Sequence, residues 1–422
     1  MPPPDLLLAM FKAAVDAAHP ARCVPAHLPA MPSGRVVVVG AGKAAAEMAR
    51  AVEDHWHDRV SGVVVTRYGH DVPCRHIDVV QAGHPNPDTA GLEAAMRIRD
   101  LVKGLSPDDL VLCLWSGGGS SLLALPAAGI TLADKRSINQ QLLKSGASIA
   151  QINCVRKHLS AIKGGRLAVA AYPAQVLSLI ISDVPGDDPS VIASGPTAAD
   201  PSTRQQALEI IESYDLNVPP HVTTWLQSEQ SETPKEGDPR LSRVTNQVIV
   251  TPLSSLQAAA ACARQNGVQP LILGDAIEGD AVECAKLHAG MAIGCASHGN
   301  PLPAPCVLIS GGETTVAVRG SGRGGRNTHF LLALGLALQS HPRIWAIACD
   351  TDGIDGTEQN AGARLTPDSL RRALTQGLRP AVLLEDNDSY RLFDTLNDLI
   401  VTGPTRTNVN DFRAILIDAS PQ

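Results

Sequence analysis

The sequence predicts an α/β protein of at least two domains, built on parallel sheets with covering helices. Three observations carry this. Short apolar runs such as "RVVVVG" and "DLVLCLW" end in glycine- or aspartate-rich loops, as buried strands do. Segments with helical spacing alternate with them, the pattern of βαβ units. The 422 residues are too many for one ordinary core.

Taken in order, "MPPPDLLLAMFKAAVDAAH" places Leu6, Leu7, Met10, Phe11 and Ala14 on one helical stripe. Asp5 and Lys12 interrupt it and no basic segment precedes it, so it reads as an amphipathic helix rather than a signal peptide. A buried strand running into a glycine turn follows at 35–43, with further strands at 62–66 and 76–83 and a helical segment, "AAAEMARAVEDHW", between the first two. "TAGLEAAMRIRDLVKG" is a helix with a glycine stop, "DLVLCLWSGGGSSLL" a strand, glycine loop and helix start, and "AQVLSLIISDVPGDD" a strand ending in an acidic loop. The polar span "SEQSETPKEGDPRLSR" (228–243) reads as a linker, dividing residues 1–235 from 236–422. Beyond it come "QVIVT", "SSLQAAAACARQ", "VQPLILGD", a long Ala-rich helix, and two strands around the glycine corner of "CVLISGGETTVAV". "GGRNTHFLLALGLAL" starts a helix, while "RIWAIAC" and "FRAILID" are the last strands.

Composition narrows the function. Aromatics are 3% and net charge is −7, which disfavours stacking on nucleic acid and any global attraction for polyanions. Nine cysteines without a CxxC pair suggest reduced thiols and a cytoplasmic protein. No HxxxH or HExxH pattern suggests structural zinc, and no apolar run approaches the ~20 residues of a membrane helix.

The candidate chemistry sits in loops after strands, where open α/β sheets bind ligands. Gly40-x-Gly42-x-x-Ala45 fits a loose dinucleotide fingerprint, but Thr66 and Arg67 stand where an acid should meet the ribose. NAD is therefore disfavoured, and Arg67 leaves NADP open. Otherwise Lys43 and the helix amides meet a phosphate or carboxylate, or the glycines only shape a turn. "SGGGSS" places Ser116, Gly117, Gly118, Gly119, Ser120 and Ser121 in a nest suited to phosphate, without the lysine of a Walker loop or a G-x-S-x-G nucleophile. "NCVRKHLSAIKGGRLA" concentrates Arg156, Lys157, His158, Lys163 and Arg166, either a solvated face or an anion clamp. Asp183, Asp187 and Asp188 in "SDVPGDD" could serve a hydroxyl or Mg²⁺, or simply form Asx turns. "RGSGRGGRN" offers Arg319, Arg323 and Arg326 for phosphate recognition. In "CDTDGIDG", Asp350 and Asp352 begin like a calcium loop, but Ile354, Asp355 and Ala361 stand where Asp/Asn, Gly and Glu are required.

These blocks, with "AGHPNPD", "ISGGETTV" and "TGPTRTNVND", resemble in order and over nearly the whole chain the class II glycerate kinases with a C-terminal MOFRL domain. Some members of that family are called hydroxypyruvate reductases, a name often inherited from tartrate-utilisation operons. The resemblance implies a Rossmann-like N-terminal domain, a smaller α/β MOFRL domain (about 305–418) and an active site in the interdomain cleft. It further implies ATP-dependent phosphorylation of D-glycerate with Mg²⁺, commonly to 2-phosphoglycerate, in a cytoplasmic enzyme without nucleic-acid or membrane partners and with a possible homo-oligomeric state. Lys43 matches the family's important lysine, and Arg326 or Arg323 its loop arginine. On that pattern Lys43, Arg326, Asp183 and Asp187 are the catalytic candidates, and Arg323, Ser116 and Asn408 the substrate-binding ones. Gly40, Gly42, Gly117, Gly118, Gly119, Ser120 and Lys157 would hold nucleotide, and Asp350 and Asp352 the metal. Two departures stand out: Arg406 where the family has glycine, and Thr328-His329 where it has Gln-Glu. The competing readings are an NAD(P)H-dependent hydroxypyruvate reductase and a non-catalytic nucleotide or sugar-acid sensor.

Overall fold

The computed structural model describes residues 1–419. The chain divides into a central unit, Pro20–Ile249, and a terminal unit made of Met1–His19 and Val250–Gln422.

The central unit is built on β1 (Val36–Ala41), β2 (Ser61–Arg67), β3 (Ile77–Ala82), β4 (Leu110–Trp115), β5 (Gln175–Ile181) and β6 (Val244–Val250). The order is β3-β2-β1-β4-β5-β6, and every pairing from β3 to β5 is parallel. β1 and β4 are buried along their whole length, which is why they read as unbroken apolar runs. The strand order reverses between β1 and β4. Loops leaving the carboxyl ends of those two strands part there, at a topological switch point. Helix starts are fixed by local chemistry. Asp88 accepts from the Gly91 amide at 2.9 Å, and Thr131, Ser148 and Thr203 each form a capping box.

The span 228–243 is not the linker its composition suggests. Ser231 and Thr233 are buried. The Arg166 guanidinium donates to three successive carbonyls, Gln230, Ser231 and Glu232, at 3.2, 2.8 and 3.1 Å. Proline and glycine here shape a folded loop whose carbonyls are met by the half-buried Arg166. The division instead falls at the end of β6.

The terminal unit carries β7 (Gln269–Gly274), β8 (Gly279–Asp280), β9 (Cys306–Gly312), β10 (Thr314–Thr315), β11 (Ile344–Asp350), β12 (Gly362–Leu365), β13 (Leu399–Ile400) and β14 (Asp411–Ile417). Its main sheet runs β13-β12-β11-β14-β9-β7, and only β7 and β9 pair in parallel. The parallel sheet suggested by strand–helix alternation is thus limited to the central unit. The last strand, β14, enters the middle of this sheet, antiparallel to both neighbours.

The N-terminal helix, Pro3–Ala17, belongs to this unit rather than to the domain of residues 1–235 expected to contain it. All five stripe residues are buried, against Leu256, Ala259, Ala260 and Ala263 and against Phe412, whose ring lies 5.8 Å from that of Phe11. Each large side chain so buried contributes ~1.5–3 kcal/mol. All nine cysteines are free thiols. Among the described residues no helix is long and apolar enough to cross a membrane.

Candidate active site

In the central unit the turn after β1 is fully used by the protein itself. Gly42 donates to Val65 O (3.0 Å), Lys43 to Gly117 O (2.8 Å) and Ala44 to Ser116 Oγ (3.0 Å). Gly42 has φ +141°, and a Cβ there would lie 2.1 Å from Ser116 Oγ, so only glycine fits. Gly40 lies inside β1, paired with Val64 and Leu114. The fingerprint therefore builds a turn, not an amide cradle for a dinucleotide. Gly40 and Gly42, expected at the nucleotide, thus shape the strand end and turn that carry Lys43. Ser116, expected at the substrate, is wholly buried and serves the helix start. What the turn presents is the Lys43 side chain, whose stem runs past Gly118: a Cβ on Gly118 would lie 3.6 Å from Lys43 Cγ and 2.9 Å from the His84 ring.

The loop after β4 differs. Among the described residues, the amides of Gly117 and Gly118 donate to no protein group. Ser120 Oγ lies 2.7 Å from Ser194 Oγ, and Ser194 reaches Asn153 Oδ1 at 3.4 Å. Beneath them the buried Lys163 ammonium donates to Ser120 O (2.7 Å), Ser120 Oγ (3.4 Å) and Ala193 O (3.3 Å). Burial first, then the charges of Lys135, Arg156 and Lys157, hold Lys163 well below its ordinary pKa. Ala193 and Ser194 are both left-handed, with φ 52° and 59°. Non-glycine residues rarely take that conformation, which costs roughly 1–2 kcal/mol each and recurs at ligand sites.

After β5 the three aspartates separate. Asp188 accepts from the Ser190 amide at 2.8 Å, an Asx turn. Asp187 is left-handed (φ 54°), and its Oδ1 is buried without a hydrogen-bond partner. Asp183 stands half-buried at the start of the loop. Lys157, assigned to nucleotide, instead forms a buried ion pair with Asp200 at 3.1 Å. Of the cations in the same motif, Lys163 is the one that reaches the serine loop, through Ser120, while Arg156 donates to Asn139. The residue that sequence reasoning missed is Lys135, which lies in no motif.

In the terminal unit, Arg326 begins the helix Arg326–Leu338. Its Nε donates to Asp411 Oδ1 and its Nη2 to Asp350 Oδ2, both at 2.9 Å, and its Nη1 pairs with Glu313. Burial opposes its charge, but Asp411, Asp350 and Glu313 outweigh that and raise its pKa above the ordinary arginine value. Asp355 caps the same helix, accepting from the amides of Asn327 and Thr328 and from Thr328 Oγ1, each at 2.9 Å. The loop 350–356 is tied to 403–411: Thr405 N donates to Asp352 O (3.0 Å), and Thr351 Oγ1 to Asn410 O (2.6 Å). Asn408 is buried in that second loop. Arg323 is exposed, its guanidinium 4.7 Å above the Tyr390 ring and 3.4 Å from Glu358.

The two departures now have settings. Thr328 is part of the helix cap. Arg406 holds φ 63°, the left-handed conformation that glycine adopts without cost.

Asp350 and Asp352 do not build a metal cage. Asp350 Oδ1 accepts from the Asp352 amide and Oδ2 from Arg326, while Asp352 Oδ1 accepts from the Ile354 amide. Among the described residues no group of three His, Cys, Asp or Glu is arranged for a metal. Magnesium in nucleotide enzymes rides largely on phosphate oxygens and water. The donor set here offers at most a minor share of its ligands.

Residues 6–227 match the family described as a domain of unknown function, DUF4147, and residues 306–411 match the MOFRL family. D-glycerate 2-kinase of Thermotoga maritima is 38% identical over 408 residues, 96% of each chain. The crystal structure of a Thermotoga maritima glycerate kinase superposes with a TM-score of 0.90, covering 98% of this chain and 99% of that one at 38% identity. A protein of Agrobacterium vitis named "Putative hydroxypyruvate reductase" is 53% identical over 418 residues, 98% of this chain and 94% of its own. Over both its domains, DUF4147 and MOFRL, the chain belongs to the glycerate kinase family.

Proposed function

We propose that this enzyme transfers the γ-phosphoryl group of ATP to the 2-hydroxyl of D-glycerate, giving 2-phospho-D-glycerate. One observation carries the reading: at the β1/β4 switch point the helix-start amides are consumed by the protein, while Lys43 and the open amides of Gly117 and Gly118 stand together. A dinucleotide site needs those helix-start amides for its pyrophosphate. A phosphoryl-transfer site needs a lysine and a nest.

Phosphoryl transfer asks a protein mainly for positioning and charge stabilisation. In this reading Lys43 and the Gly117–Gly119 loop, with Ser120 at its end, receive the nucleotide phosphates. Asp187 orients or deprotonates the acceptor hydroxyl, its buried Oδ1 being in want of a donor. Within the terminal unit, Arg326 is the candidate for charge stabilisation. Three of its five N–H groups are taken by carboxylates, which fix its rotamer, and two remain. A donor held in place reorganises little as charge develops. Mg²⁺ would neutralise phosphate charge when bound with ATP.

The name carried by the Agrobacterium vitis relative favours a second reading, reduction of hydroxypyruvate by NAD(P)H. The test offers D-glycerate with Mg-ATP and follows ADP, then offers hydroxypyruvate with NADH and NADPH and follows absorbance. Coupling to enolase without phosphoglycerate mutase reports the 2-phospho product. Nicotinamide oxidation without ADP release would replace the kinase reading by the reductase.

A further inference from the structure

The central unit holds a group of cations for which the described residues supply no paired carboxylate. Lys135 lies on the helix Leu132–Lys144, Arg156 on the helix Ile149–His158, and Lys163 in the loop that follows it. Asn139, which Arg156 meets, lies one helical turn beyond Lys135 on the same helix, and the charges of Lys135 and Arg156 both act to lower the Lys163 pKa. Yet among the described residues no carboxylate pairs with any of the three, and the Lys163 ammonium donates to Ser120 O, Ser120 Oγ and Ala193 O, all neutral. Arg156 donates from Nε to the neutral Asn139 Oδ1 at 2.7 Å. The Lys135 ammonium is buried and has no hydrogen-bond partner among the described residues. The contrast with Lys157, one residue from Arg156, is direct: that lysine is buried too, and the fold gives it Asp200.

An unpaired buried ammonium costs several kcal/mol and is retained where something else pairs it. Burial, followed by the Arg156 charge, pushes Lys135 down to about 7, the direction expected of a cation awaiting an anion. Neutral donors stand close by. Lys163 fixes the carbonyl and hydroxyl of Ser120, and Ser120 meets Ser194, which is held in a left-handed conformation. The group adjoins the loop that starts at the switch point. An ordinary solvated basic face would place its ammonium groups in water, and Lys135 does not.

We propose that Lys135 and Arg156, with Lys163 behind them, form an oxyanion subsite beside the Ser120–Ser194 hydroxyls. Its ligand is a carboxylate or a phosphate. On the kinase reading above, that group is the carboxylate of the hydroxy-acid substrate or a phosphate of the nucleotide.

Lys135→Met is the informative variant, because among the described residues the ammonium it removes makes no hydrogen bond to the protein. Without ligand it should melt at or above the wild-type temperature. Thermal shifts are measured with sodium phosphate, D-glycerate and ATP, each against sodium chloride of equal ionic strength. At least one of these anions should stabilise the wild type, and Lys135→Met and Arg156→Met should lose most of that shift. In turnover, KM should rise about tenfold or more, as for loss of a charged hydrogen bond. A rise for D-glycerate assigns the carboxylate, and a rise for ATP the phosphate. If the wild type turns over D-glycerate but both variants keep every anion shift and both KM values, the subsite is refuted and the kinase reading stands. If the wild type shows no turnover while Lys135→Met still abolishes an anion shift, the kinase reading falls and the subsite stands.

Discussion

Asp355→Ala should separate the acidic loop's structural work from its chemistry. The carboxylate is buried and accepts three hydrogen bonds of 2.9 Å, from the amides of Asn327 and Thr328 and from Thr328 Oγ1. Removing it leaves two first-turn amides without an acceptor, and each unsatisfied buried group costs ~1–3 kcal/mol. Relief of the buried charge offsets part of this, so a net loss of about 2–4 kcal/mol is expected, near the upper end for a helix cap and beyond. For a unit of this size that lowers Tm by roughly 4–16 °C. The pH dependence has a definite sign. Burial raises the Asp355 pKa, its amide bonds lower it, and Asp411 adds to the rise, leaving the carboxyl above its ordinary value. A raised carboxyl contributes most below the unfolded-state pKa and loses that contribution as pH climbs through the folded value. The deficit of Asp355→Ala relative to wild type should therefore be larger at pH 4 than at pH 8. Urea denaturation at both pH values measures it, with amide exchange over residues 326–330 reporting the helix end. Asp355→Asn keeps one oxygen and should lose less. An alanine variant with unchanged Tm and unchanged exchange at Asn327 and Thr328 would refute the capping argument.

Lys43→Ala should lower kcat by roughly 10²–10³, the range for one electrostatic donor at a reacting centre, with Tm little changed; steady-state ADP release checks it, and near-wild-type kcat removes Lys43 from the chemistry. Asp187→Ala should lower kcat by roughly 10²–10⁴ as loss of a general base does, whereas Asp188→Ala should cost only turn stability. The reverse ranking in the same assay would move the hydroxyl's partner to Asp188. Asp200→Ala strands the Lys157 ammonium and should destabilise by ~3–5 kcal/mol, while adding Lys157→Met should restore most of that loss. Urea midpoints decide this, and the double variant should retain the wild-type KM for ATP.

Which parts of this molecule could be read from its sequence follows from how local the underlying physics is. The Leu6–Leu7–Met10–Phe11–Ala14 stripe is a local periodicity, and all five residues are buried as the spacing requires. What the stripe packs against is not local, and residues some 250 positions away, Leu256 to Ala263, supply the partner. The same divide runs through the site. Glycine turns after buried strands announce Lys43 and the Gly117–Gly119 loop, because strand, turn and helix start are encoded within a dozen residues. Arg156, Lys157 and Lys163 look alike in sequence, and long-range pairing tells them apart: Asp200 neutralises Lys157, while among the described residues no carboxylate pairs with the other two. Gly40-x-Gly42-x-x-Ala45 misleads for the same reason. The motif fixes the turn, but whether its amides are open depends on Val65, Ser116 and Gly117, which belong to other strands and loops. Lys135 marks the limit, since a lysine in an unremarkable helix becomes distinctive only when folding buries its ammonium beside two other cations. A residue's type thus states what chemistry it can do, and its partners across the fold decide whether that capacity is spent on the protein or left for a ligand.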